Sequence, residues 1–339
     1  MSGRPTAAWY RDPAHHRAVV EGAFVPSWQV GPDVAAVAEA AVPWRLGPGT
    51  LDEPVITLRG PDGWLRTLSN VCTHRAARLL DAPAQVGKLR CPYHGRRFSL
   101  DGRCEASPGF DAVGKDDDLP SLPTATLGPV VLASLVAGPT PRVAVGRAWP
   151  RVEALLERPM EAAAGDAWEL PVSWLSYVEN YLEGLHVPFV HPGLARAVDV
   201  GSYAVEVLPR AVLQVAEASD GDDAFALPEG HPDAGRRIAA YYLWLFPDLM
   251  LNLYPWGLSL NHVQPLGPDR VRVVYRTFVA DPALRGRGAG GDVAAVEAED
   301  QAILKRLEPT ARLYRGARLA PGHEDGVAAL WRWVAEAVG

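Results

Sequence analysis

Two short segments each pair a cysteine with a histidine: Cys72-Thr73-His74 and, after a spacer of sixteen residues, Cys91-Pro92-Tyr93-His94. Each tight loop thus offers one thiolate and one imidazole. A single tetrahedral zinc typically takes a Cys-Cys pair followed by a His-His pair, and that order is absent. Alternating Cys and His instead suits a two-iron, two-sulfide cluster with both thiolates on one iron and both imidazoles on the other. Each loop then reaches over both irons. Histidine ligation raises the potential of such a cluster above that of all-cysteine ferredoxins, so it accepts electrons and passes them on. Chance is the competing explanation, but nine histidines and three cysteines in 339 residues make such a double coincidence rare. Cys104, just past the Asp101-Gly102 turn, is left over and reads as a structural or incidental thiol.

A second group lies in Asn180-Tyr-Leu-Glu183-Gly-Leu-His186-Val-Pro-Phe-Val-His191. Asn180, Glu183 and His186 recur every three residues, which predicts one polar stripe on a helix face. His186 and His191 are about 140° out of register on a regular helix. Pro188 between them predicts a kink able to turn His191 back toward His186. Two ordinary histidines at a helix C-terminus fit the same spacing. Two histidines and one carboxylate with open positions form the site of non-haem Fe(II) oxygenases. The missing acid is sought in the predicted helix Asp292–Leu307, whose apolar stripe of Val293, Val296, Ile303, Leu304 and Leu307 is interrupted by Asp300. A carboxylate there must be paired or metal-bound, and a salt bridge to a buried arginine is the alternative. Glu297 and Glu299 read as solvated on other faces.

These residues need elements to hold them. The N-terminal stretch to Phe24 reads as helical. From Val30 to about Ala137, short apolar runs alternate with Gly, Pro and Asp turns, as in a small all-β domain. Gly138-Pro-Thr-Pro141 marks a boundary. Helices are then expected at Val152–Ala164 and at Ser173–Val190, broken at Pro188. Strands follow at Ser202–Gln214, Arg237–Leu245, Leu249–Leu253, Leu258–Pro265 and Arg270–Ala280. A mobile loop is expected at Arg285–Gly291, then helices at Asp292–Leu307 and Gly326–Ala337. A long antiparallel sheet flanked by helices is an α+β arrangement. The strands supply Tyr241, Trp244, Phe246, Tyr254 and Trp256 as candidates to face a pocket, as an aromatic cage for a quaternary ammonium, a slot for an aromatic ring or ordinary core.

Length and composition fit this plan: 339 residues, 48% hydrophobic and 22% charged, make two packed domains. The 32 glycines and 31 prolines imply many turns. A net charge of −7 without a basic tract excludes nucleic acid and anionic membranes as partners. No leader-like or membrane-spanning apolar run is present, and three cysteines do not make a disulfide scaffold, so the cytoplasm is the expected location.

Together, C-x-H-x16-C-x2-H and N-Y-L-E-G-L-H-V-P-F-V-H resemble the catalytic α subunit of Rieske non-haem iron ring-hydroxylating oxygenases. The likeness extends over nearly the whole chain, including Trp9-Tyr10-x-Asp12-Pro13 and Glu299-Asp300-x-x-Ile303. It implies an α+β protein with an N-terminal helical segment (1–29) packing on the catalytic domain. A Rieske [2Fe–2S] domain (30–139) and a helix-grip, START-like catalytic domain (140–339) would follow. It assigns Cys72, His74, Cys91 and His94 to the cluster, and His186, His191 and Asp300 to a mononuclear Fe(II). Glu183 would link one subunit's cluster to its neighbour's iron, and Asn180 would shape the pocket. Many members carry Asp where this chain has Glu183. Branches resembling carnitine, glycine-betaine and stachydrine oxygenases carry Glu, which tilts the substrate toward an N-methylated compound over an aromatic one. The implied reaction is hydroxylation or oxidative demethylation of a small molecule, with O2 as co-substrate, by mono- or dioxygenation. Electrons would come from a separate NAD(P)H reductase, with or without a ferredoxin, to a homotrimer. The alternative is an electron carrier fused to a START-like ligand-binding module without oxygenase chemistry.

Overall fold

The computed structural model describes residues 4–339, so the first three residues of the expected N-terminal segment lie outside it. The chain divides into two units: Phe24–Thr140, and the segment ending at Ala23 together with Pro141–Gly339. No helix among the described residues is long and apolar enough to cross a membrane.

The Phe24–Thr140 unit consists of three small antiparallel sheets. One pairs Gln29–Asp33, Val130–Ala133 and Thr124–Leu127. A second runs through Val42–Leu46, Glu53–Arg59, Leu65–Ser69 and Ser121–Leu122. The third joins Leu89–Arg90, Arg97–Phe98 and Cys104–Ala106, and residues 91–95 form the tip of its first hairpin. Leu58, Leu68, Leu89 and Phe98 build a buried core that includes the side chains of Cys72 and Cys91.

In the other unit, six consecutive strands make an up-and-down meander: Val198–Val207, Ala211–Ala218, Ile238–Leu245, Leu249–Tyr254, Gly257–Gly267 and Arg270–Val279. The earlier strand Glu161–Leu170 pairs with the last of them, completing seven. Strands 238–245 and 249–254 are buried at every position, so both faces are covered. The C-terminal helix Asp325–Val338 lays Trp333 against Trp244 and Phe246, with ring centroids 5.8 and 5.7 Å apart.

Several expectations change. The helix predicted to reach Ala164 ends at Leu156, and residues 161–170 are a strand. Pro159 pushes Arg158 out of helical geometry, and pairing with 270–279 overrides the helix preference of the alanines. The segment 202–214 is broken at Pro209-Arg210 into two strands. In the glycine-rich segment 285–291, residues 285–287 are exposed, but the end is packed: Ala289 and Gly290 are buried, Trp256 Nε1 donates to the Gly290 carbonyl at 3.1 Å, and a Cβ at Gly290 would fall 2.3 Å from that nitrogen.

Candidate metal centres and an aromatic cavity

The two cysteine loops share one hydrogen-bond plan. The amide of Ala76 donates to the Cys72 carbonyl and that of Gly95 to the Cys91 carbonyl, both at 3.0 Å. The Cys72 amide donates to Ala77 O and the Cys91 amide to Arg96 O, both at 2.8 Å. Each loop turns through a left-handed residue, Ala76 at φ 54° and Gly95 at φ 75°. Gly95 adopts this without penalty; Ala76 is held there by its partner bonds. Beneath the loops, buried Arg96 bridges Asp117 (2.8 Å), Thr73 Oγ1 (3.0 Å) and Ser107 Oγ (3.1 Å).

This arrangement brings all four sequence-predicted donors together. Cys72 and Cys91 are free, buried and within hydrogen-bonding reach of each other. The rings of His74 and His94 lie 4.8 Å apart. Burial pushes the Cys72 thiol up, whereas at Cys91 burial is outweighed by the amides of His94 and Tyr93, which bring its pKa down. Burial, followed by the charges of His94, Arg96 and Arg75, lowers His74 and keeps its imidazole neutral. His74 Nδ1 is buried without a hydrogen-bond partner among the described residues. A buried lone pair beside two thiols and a second imidazole fits a metal cluster. Cys104 packs at the edge of the same core, its Sγ 4.0 Å from the Ala106 carbonyl.

The second group forms where a helix stops. Ser173 caps helix Trp174–Tyr181, accepting from the Leu175 amide, and the helix ends at Tyr181 rather than continuing through His186. The expected stripe of Asn180, Glu183 and His186 is therefore split between a helix and a turn. Glu183 builds that turn: its Oε2 accepts from the amides of Leu185 and His186. Pro188 does not kink a helix but sits at the start of a new short one, Val187–Val190, where its missing N–H has no partner to lose. This re-start carries His191 round toward His186, their rings 5.1 Å apart and edge to face.

Helix Val293–Leu304, capped by Asp292 on the Ala295 amide, delivers Asp300 to the same place. One ligand atom from each of His186, His191 and Asp300 falls within 4.8 Å of the others. Asp300 Oδ1 lies 3.0 Å from His191 Nε2, 3.8 Å from His186 Nε2, and accepts from Asn180 Nδ2 at 2.7 Å. Each Nδ1 faces a carboxylate: His186 to Glu183 Oε1 at 2.5 Å, His191 to Glu299 Oε2 at 2.8 Å. A carboxylate on Nδ1 fixes the tautomer with its lone pair on Nε2, so both lone pairs converge beside Asp300. Burial pulls His191 down, but Asp300 and Glu299 more than offset it and its pKa rises. This surplus of negative charge around a buried imidazole is what a divalent cation would neutralise.

Glu299 and Glu297 are corrections, since neither is an idle solvated residue. Glu297 accepts from Asn261 Nδ2 (2.5 Å) and Tyr177 OH (3.1 Å), and burial pushes its pKa up to about 7. It lies three residues before Asp300, about 60° away around the helix, and that spacing was the available signal. A third acid, Glu179, also lay outside the sequence reading. Its Oε1 accepts from both Tyr10 OH (2.8 Å) and Trp331 Nε1 (2.6 Å).

A cavity of about 620 Å³, including its mouth, opens beside the three converging side chains. Four tyrosines line it: Tyr181, Tyr203, Tyr242 and Tyr254. Tyr203 and Tyr242 are stacked at 6.3 Å, Tyr242 and Tyr254 meet edge to face at 6.1 Å, and Trp256 backs Tyr254 at 5.3 Å. Tyr181 OH is anchored on Asn252 Oδ1 at 2.8 Å. Of the five aromatics singled out from the sequence, only Tyr254 lines this space. Tyr241 points to the opposite sheet face, its hydroxyl on Asp233, because neighbours along a strand alternate faces. Trp244 and Phe246 are core beneath Trp333.

Comparison with known proteins gives a consistent picture. Residues 34–123 match the Rieske [2Fe-2S] domain family, and residues 159–339 match the catalytic domain of the ring hydroxylating alpha subunit family. The chain is 26% identical to the chloroplastic choline monooxygenase of Spinacia oleracea, covering 97% of this chain and 77% of that protein. It is 32% identical to the carnitine monooxygenase oxygenase subunit of Escherichia coli strain K12 over 60% of this chain and 56% of that one. Among solved structures, a quaternary ammonium Rieske monooxygenase in complex with L-carnitine superimposes with a TM-score of 0.77 at 20% identity, covering 99% of this chain and 96% of the other. Naphthalene 1,2-dioxygenase from Rhodococcus sp. shares the fold with a TM-score of 0.75 at 16% identity, covering 99% and 94%.

Proposed function

Because the chain belongs to the family of Rieske ring-hydroxylating oxygenase α subunits, and is the terminal non-haem iron oxygenase component of such a system, we propose that its substrate is a small quaternary ammonium compound. The observation that carries this reading is the tyrosine-lined cavity beside His186, His191 and Asp300. Ring faces attract a cation whose methyl groups leave it without hydrogen-bond donors. The relatives named for choline and carnitine oxidation support it.

In this reading Cys72 and Cys91 hold one iron of the cluster, His74 and His94 the other, and His186, His191 and Asp300 hold the mononuclear Fe(II). When bound, the cluster supplies single electrons and the mononuclear iron supplies the site of O2 activation. The chain's own residues do the positioning. Asn180 pins Asp300 Oδ1, while Glu183 and Glu299 orient the two imidazoles. The tyrosines hold the ammonium and exclude water from its methyl groups. Oxygen insertion at an N-methyl or an adjacent carbon then gives hydroxylation or oxidative demethylation.

The similarity to a carnitine monooxygenase oxygenase subunit implies a reductase partner. We extend this to an NAD(P)H-dependent reductase feeding a homotrimer in which Glu183 connects a neighbouring subunit's cluster to His186. The turn carrying Glu183 and the short helix after it support this, exposing Leu185 (40%) and Phe189 (87%) as apolar area for a neighbour. Three free cysteines support a reducing compartment such as the cytoplasm.

The test is product formation by the iron-loaded protein with a reductase, using trimethylammonium compounds and aromatic hydrocarbons as substrates. Turnover of an ammonium compound is expected; turnover of aromatic hydrocarbons alone refutes the reading.

A further inference from the structure

The charges lining the cavity are one-sided. Glu183, Glu297 and Asp300 face it, and no lysine or arginine does among the described lining residues. Asp300 and Glu183 are engaged by His191 and His186. Glu297 is held by neutral donors, Asn261 Nδ2 and Tyr177 OH. A carboxylate in a wall of low polarity, hydrogen-bonded only by neutral donors, is a charge that an incoming cationic ligand stabilises. The remaining polar lining groups include Asn252 and Ser259, which hydrogen-bond each other at 3.0 Å. These neutral groups can pair with a hydroxyl but cannot neutralise a second carboxylate.

Resting on the quaternary ammonium reading above, we propose that this cavity selects substrates of net positive charge, a trimethylammonium with a neutral hydroxyalkyl arm, over zwitterionic betaines, and that Glu297 is the specificity-determining residue. The tyrosine faces recognise the ammonium in either class of ligand. Discrimination comes from the arm: a hydroxyl meets neutral partners, whereas a carboxylate enters a space already holding Glu297 and finds no base. Burial pushes the pKa of Glu297 up to about 7, so it is mostly ionised at pH 8.

The experiment is calorimetric titration of the iron-loaded protein at pH 8 under anaerobic conditions. The probes are 2-hydroxyethyl-trimethylammonium, trimethylammonioacetate and 3-hydroxy-4-trimethylammonio-butanoate. The hydroxyethyl cation is expected to bind ~10-fold or more tightly than either zwitterion. Glu297→Gln is expected to reduce that ratio ~10-fold, with the loss falling on the cation, while Glu297→Asp retains the preference. The visible spectrum and iron content verify that each variant is intact. Equal or tighter zwitterion binding by the unsubstituted protein overturns the proposal whether or not Glu297→Gln folds. So does an unchanged ratio in a folded Glu297→Gln protein. If none of the three ammonium compounds binds, the reading of the cavity as an ammonium site fails, and the charge preference fails with it.

Discussion

Glu183 Oε1 lies 2.5 Å from His186 Nδ1, while the second oxygen of the same carboxylate accepts from the amides of Leu185 and His186. One side chain therefore shapes the turn and fixes the imbalance between the two ring nitrogens. Glutamine cannot do both: if its carbonyl faces Nδ1–H, its amide nitrogen faces two backbone donors. The three proposed iron ligands are unchanged in Glu183→Gln, so cluster and iron should both load. Coupled turnover should fall by ~10- to 100-fold, since a misaligned partner of a ligating histidine weakens function on that scale. Product formed per NADH oxidised checks this, and full coupled turnover in the variant rules it out.

Asp300 takes His191 Nε2, Asn180 Nδ2 and the approach of His186 Nε2 on one oxygen. Asp300→Ala should lose the mononuclear iron and keep the visible spectrum of the cluster, so iron per chain drops from three to two. Stoichiometric iron in that variant would move the carboxylate ligand to Glu297, the other acid of the same helix that lines the cavity.

The metal-ligand candidates were legible because metals demand particular atoms, so Cys72, His74, Cys91, His94, His186, His191 and Asp300 declare themselves by type and spacing. The sheet was legible wherever apolar strands were separated by prolines and glycines, as from Ile238 to Val279. Elements decided by distant partners were less so. Glu161–Leu170 has a helical composition and is a strand because 270–279 needs a neighbour. The helix before His186 ends at Tyr181 because the Glu183 carboxylate offers the next amides a better acceptor. Tyr242 and Tyr254 face the cavity while Tyr241 does not, a matter of register that composition does not contain. Glu297 was misread because it requires Asn261 and Tyr177, far away in sequence, to make a buried site for an acid.

The third cysteine separates ligand from bystander. Cys104 lies half-buried at the edge of the core, its Sγ making only a weak hydrogen bond to Ala106 O, and burial pushes its thiol up. Cys104→Ser should keep the cluster's absorbance and cost about 1 kcal/mol of stability or less. Cys72→Ser and Cys91→Ser should each lose the absorbance altogether. Loss of colour in Cys104→Ser would contradict the proposed ligand set.

Glu179 gives a stability test away from the chemistry. Burial is the main cause raising its pKa to about 7, against the pull of Trp331 and Tyr10 and with Glu324 adding to the rise. For an acid raised above its unfolded value, the folded state holds the proton more tightly. Its contribution to stability is fully present below about pH 4.5, declines as pH rises and is lost above about 7. In Glu179→Gln the carbonyl can still accept from Tyr10 OH and Trp331 Nε1, and nothing ionises. The difference in unfolding free energy between variant and parent should therefore move in the variant's favour by about 2–3 kcal/mol between pH 5 and pH 8. Taking the difference cancels the other titrating groups, Glu297 included. Urea unfolding followed by tryptophan fluorescence at the two pH values measures it. A difference independent of pH would mean that Glu179 is charged in the folded protein throughout, with its two donors holding an ionised carboxylate.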